Sequence, residues 1–136
     1  MQHKAVLGQD EARRILAAAR AEAQRHRWAV SIAVVDDGGH PLALERLDGC
    51  APISAYIATE KARTAALGRR ETKAYEDMVN GGRSAFLSAP LLTSLEGGVP
   101  IRVGGQVVGA VGVSGVKSGE DAVSYTHLRA HETPEH

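Results

Sequence analysis

The segment from Gly97 to Gly115, GGVPIRVGGQVVGAVGVSG, constrains the fold more than any other part of the chain. The β-branched runs Pro100 to Val103 and Gln106 to Val113 favour extended backbone, and the two residues between them, Gly104 and Gly105, tolerate the positive φ of a tight primed turn. An antiparallel hairpin is therefore predicted. Along its second strand Val107, Gly109, Val111 and Val113 fall on one face, and Val108, Ala110, Gly112 and Ser114 on the other. The second face is small, which suits close packing of a helix or the approach of a flat ligand. Gly109, Gly112 and Gly115 do not read as a dinucleotide loop, because they lie within a strand rather than at a strand-to-helix turn.

A second hairpin is predicted upstream, from Ala29 to Val35 and Pro41 to Leu47, turning through Asp36, Asp37, Gly38 and Gly39. Before it, Ala12, Ile15, Leu16, Ala19 and Ala23 recur at helical spacing within Gln9 to Arg27. After it, Ile53, Tyr56, Ile57, Glu60, Thr64 and Leu67 trace one side of a second helix, and Thr72 to Val79 forms a shorter one closed by Gly81 and Gly82. Ser84 to Leu95 reads as mixed helix and loop. Ser118 and Asp121 stand at capping-box spacing and announce a terminal helix.

The 136 residues, 43% of them apolar, suit one α/β (α+β) domain. Sixteen basic residues balance sixteen acidic ones, so no net field draws the chain to nucleic acid or an anionic membrane. The single Cys50 makes no internal disulfide, no signal peptide is evident, and no run of about 18 apolar residues occurs, all of which fit a soluble cytoplasmic protein.

Catalytic sets are absent from the pattern. Asp36 with Asp37 reads as turn chemistry, and Cys50 has no histidine placed near it by any motif. His26 and His40 remain candidate ligands at element ends. His127 and His131 are four apart, but a zincin requires His-Glu-x-x-His on an unbroken helix and Pro134 interrupts one here, so no metal site is assigned. Arg46 either snorkels at the sheet edge or points into a pocket, and Lys61 shares a helix side with Thr64.

Three stretches together, VVDDGGHPLALERLDG (Val34 to Gly49), ATEKARTAA (Ala58 to Ala66) and the glycine-rich segment, resemble the GlcG/HbpS family, itself similar to the C-terminal domain of PduO-type cobalamin adenosyltransferases. The resemblance implies a profilin-like layered fold with an antiparallel sheet of about five strands and helices packed on it. It also implies self-association into a homo-oligomer and, in some members, binding of haem or a related tetrapyrrole. Others belong to carboxylic-acid catabolism. Carried onto this chain, the ligand-binding residues would be Arg46, Asp48, Lys61, Thr64, Gly97, Gly98 and Ser114, with Arg46 and Lys61 on the propionates and Thr64 as an oxygen ligand to iron.

Two alternatives stand beside the binding module. One is an enzyme acting on a small carboxylate, with Arg46 and Lys61 holding the acid and Lys61 or Asp36 moving a proton. The other is a regulatory or structural homo-oligomer. Ser124 to His136, SYTHLRAHETPEH, has no apolar period and resembles the translation of a transposon adapter used in DNA-library preparation. On that basis residues 1–122 form the domain, cut before its terminal helix, and residues 123–136 a non-native tail.

Overall fold

Both predicted hairpins form. In the computed structural model, described over residues 1–115, β1 (Ser31–Asp36) pairs antiparallel with β2 (Pro41–Arg46), and β3 (Gly98–Val103) with β4 (Gln106–Ser114). Pairing of β1 with β4 joins the two into one sheet of order β2-β1-β4-β3. The described residues thus hold four strands rather than about five. The region from Ser84 to Leu95 adds none, being a short 3-10 turn (Ser84–Ser88) followed by irregular chain. The expected terminal helix and the tail lie outside the described residues.

Gly104 and Gly105 take φ of 57° and 79°, as a primed turn between right-twisted strands requires. The pleat of β4 departs from strict alternation just beyond that turn. Ile101 faces Gly109 and Arg102 faces Val107, so Val108 is an extra residue, a β-bulge. Val108 therefore joins Val111 and Val113 on one face rather than Ala110 and Gly112 on the other, correcting the pattern read from simple alternation.

Each face of the sheet carries a helix. Helix α1 (Gln9–Arg25) lays Ala12, Ile15, Ala19 and Ala23 on Ile32, Val34, Val111 and Val113. Helix α2 (Ile53–Gly68) lays Ala58, Ala62, Ala65 and Ala66 on Ala33, Val35 and Ala110. Helix α3 (Thr72–Asn80) follows and buries Thr72 and Tyr75.

The side of α2 that meets the sheet is not the one its bulky residues suggest. Ile53 is 63% exposed and Tyr56 76%, while Leu67 is also open to solvent. The reason is distance: a β-carbon on Gly112 would sit 1.9 Å from the Ala58 carbonyl oxygen and 2.7 Å from the Ala62 nitrogen. Backbone meets backbone there, and only alanines fit between. The room that a flat ligand might have used over Gly112 is filled by the helix.

Gly112→Ala accordingly overpacks this seam. We expect a loss of about 1–3 kcal/mol in the urea unfolding free energy.

Candidate functional site

Four of the residues carried over from the family resemblance meet beneath α2. Lys61 is only 4% exposed, and its Nζ donates to the Val113 carbonyl at 3.0 Å. Gly97, at φ 130°, makes way for it, since a β-carbon there would lie 2.8 Å from that nitrogen. Gly98 donates its amide to Thr72 Oγ1 at 2.8 Å and could not carry a β-carbon, which would lie 2.3 Å from the Lys61 carbonyl oxygen. Thr64, 1% exposed, accepts the Thr93 amide at 2.8 Å and lies 3.5 Å from the Leu91 carbonyl, so its hydroxyl ties the irregular chain to α2.

Ser114 is buried at the end of β4, opposite Ser31. Its carbonyl lies 3.9 Å from the Cys50 Sγ, and Ser31 and Ser54 share a hydrogen bond of 2.8 Å beside that thiol. Next to Gly97, the Glu96 amide donates to Glu76 Oε1 at 2.8 Å. The Glu96 carboxyl titrates above the ordinary carboxylate range, first because it is desolvated and second because the Glu76 carboxylate faces it, with Lys73 pulling the other way.

Arg46 and Asp48 lie elsewhere. Arg46 ends β2 on the α2 side of the sheet, opposite Ser31, and forms the common wall of two surface hollows. One, of about 520 Å³, is polar: Arg20, Gln24, Arg27, Trp28, Glu45 and Asp48 line it. The other, of about 560 Å³, opens between β2 and α2 and is lined by Leu44, Pro52, Ala55 and Tyr56 with Thr59, Glu60 and Arg63. Neither includes Lys61, so the two cations expected to converge do not share either hollow.

The polar side chains of these hollows differ in how far they are engaged. Arg20 grips Glu45 through two hydrogen bonds of 2.9 and 3.1 Å, tying α1 to the edge strand. Arg63 holds Glu60 at 2.9 and 3.0 Å, and its stem lies over Gly39 in the first hairpin turn. The Arg46 guanidinium has no hydrogen bond or ion pair with a described residue.

Tyr56 and Arg63 are not among the residues that the family resemblance carries over. A signal was present: Tyr56, Glu60 and Arg63 fall at i, i+4 and i+7, a spacing that puts two charges on the same side as the tyrosine. Asp36 behaves as turn chemistry, accepting the amides of Gly38 and His40, each at 2.9 Å. His26 stacks on Trp28 with ring centroids 4.4 Å apart, and His40 turns back to Asp36. Among the described residues no cluster of histidine, cysteine and carboxylate side chains could hold a metal ion, and no helix is long and apolar enough to cross a membrane.

Fold and hollows together define a small α+β domain with two surface hollows that share Arg46. Residues 7–126 match the family model described as "Haem degrading protein HbpS-like". The chain belongs to this HbpS-like family. It is 68% identical over 114 residues to Protein GlcG of Escherichia coli K12, covering 84% of this chain and 85% of that one. A crystal structure of a double mutant of HbpS from Streptomyces reticuli is 28% identical with a TM-score of 0.87, covering 100% of this chain and 92% of that one. The structure of a PduOC:heme complex shares the fold at 24% identity and a TM-score of 0.82, covering 93% and 94% of the two chains.

The Glu96 environment sets a pH dependence. Its folded-state pKa lies above that of an ordinary glutamate, so the folded state binds this proton more tightly than the unfolded one. Its contribution to stability is present in acid and is lost as pH rises through the raised value. Replacing Glu96 by Gln removes that loss, so the urea midpoint of Glu96→Gln should gain on the wild type as pH rises above the ordinary glutamate range.

Proposed function

We propose that the chain is a soluble binding protein for haem or a related tetrapyrrole, and that the ligand sits in the hollow between β2 and α2. The observation that carries this is Arg46, a guanidinium unengaged among the described residues, on the wall shared by an apolar and a polar hollow. A tetrapyrrole has matching parts, a broad apolar ring and carboxylate arms. Leu44, Ala55, Pro52 and Tyr56 supply apolar surface for the ring, while Arg46 stands where a carboxylate would turn toward the polar side and Asp48. The family is one of haem-degrading, HbpS-like proteins, and a structure of the same fold is that of a PduOC:heme complex.

On this proposal Lys61, Thr64, Gly97, Gly98 and Ser114 serve the ligand from below. They fix α2 and the chain leading to β3, and so hold the hollow's helical wall in place. The enzyme alternative would instead place a small carboxylate in the polar hollow, where Arg27 and Arg46 both reach. Residence in the cytoplasm, self-association and a link to carboxylic-acid catabolism belong to the same proposal. The single free Cys50 and the exposed Ile53, Tyr56 and Leu67 support the first two.

A titration of ferric haem into the protein should shift and saturate the Soret band. Arg46→Ala should weaken binding about tenfold, corresponding to about 1.4 kcal/mol for one charge-assisted contact at a partly wet site. An unshifted Soret band at micromolar protein overturns the proposal. Turnover of a small carboxylic acid without haem binding would replace it with the enzyme.

A further inference from the structure

Four side chains in the hollow between β2 and α2 bring chemistry to it besides Arg46: Tyr56, Thr59, Glu60 and Arg63. Three of them are already occupied. Thr59 donates its hydroxyl to the Ala55 carbonyl at 2.9 Å, within its own helix. Glu60 and Arg63 hold each other through the two hydrogen bonds described above. The Tyr56 hydroxyl has no hydrogen-bond partner among the described residues, and the residue is 76% exposed. Among the described residues no histidine, cysteine or methionine lines the hollow, so they bring none of the usual nitrogen and sulfur donors to haem iron there.

The surroundings of Tyr56 suit a large apolar guest. Leu44, 50% exposed, faces it from β2, and Ile53 stands one turn before it on α2. Two arginines against one glutamate leave the hollow with one net positive charge, which favours an anionic occupant. A tyrosine left open on a patch of this kind invites a partner for both its ring and its oxygen.

We infer that Tyr56 is the iron ligand of this chain, binding ferric haem through its phenolate oxygen in the hollow between β2 and α2. The inference rests on the haem proposal and adds the coordinating atom to it. On binding, the Tyr56 O–H bond breaks and its proton passes to water. The oxygen lone pair forms the bond to iron(III) and displaces a bound water, with no change in oxidation state. A hard oxygen donor suits the ferric ion, and tyrosinate is an established haem ligand type. Thr64, the other oxygen candidate, is closed off: its hydroxyl is buried and engaged with Thr93 and Leu91.

The test is to bind ferric haem to the wild type, Tyr56→Phe and Tyr56→His, and to record absorption, resonance Raman and electron paramagnetic resonance spectra. The wild type should show a high-spin ferric signal and phenolate vibrations enhanced by excitation into the ligand-to-iron charge-transfer band. Tyr56→Phe should lose those vibrations, shift the Soret band and bind haem at least about tenfold more weakly. Tyr56→His should recover affinity with an imidazole-type spectrum. Because the side chain is exposed, circular dichroism of both variants should match the wild type. If the wild type binds no haem, the haem proposal itself fails and this inference with it. If the wild type binds haem and Tyr56→Phe gives the same spectrum, Tyr56 is not the ligand while the haem proposal stands.

Discussion

The close seating of α2 on the sheet governs the rest of the molecule. Gly112 brings the strand backbone against the backbone of Ala58 and Ala62, and the alanines between them leave no volume for anything larger. Once that seam is fixed, the rotation of α2 about its axis is fixed too. Lys61 and Thr64 are drawn beneath the helix, and Ile53, Tyr56 and Leu67 are turned outward. The core and the surface hollow are thus two results of one packing choice.

Much of this was legible from residues alone. The Gly104-Gly105 pair between two valine-rich runs predicted the second hairpin and its turn, and the alanine and isoleucine period of α1 predicted the face it buries. These succeed because local chemistry and tertiary demand agree there. The orientation of α2 was less accessible. A period search weights large apolar side chains, whereas this interface selects small ones, and only the position of Gly112 opposite the helix reveals that preference. The bulge at Val108 was hidden for a related reason, since nothing in the run of valines marks where one residue is left out of the ladder.

The residues expected to bind a ligand divide along the same lines. Arg46 and Asp48 stand at the surface where a ligand has access, at the end of an edge strand. Lys61, Thr64, Gly97 and Gly98 are adjacent to one another, as their grouping suggested, yet they are knit together by hydrogen bonds and by contacts too tight to admit a side chain. Residue type alone does not separate a cation on the wall of a surface hollow from one that secures the chain leading into β3. Burial and partners do.

The setting of Cys50 bears on how copies of the chain can associate. It is the single cysteine of the sequence, so the one disulfide open to it would join two copies. Its sulfur is buried between Ser54 and the Ser114 carbonyl, at the entry to α2, and a second thiol cannot approach it while the helix is seated. Any assembly of the folded chain would therefore be held by non-covalent contacts, and adding or withdrawing a reductant would leave its size unchanged.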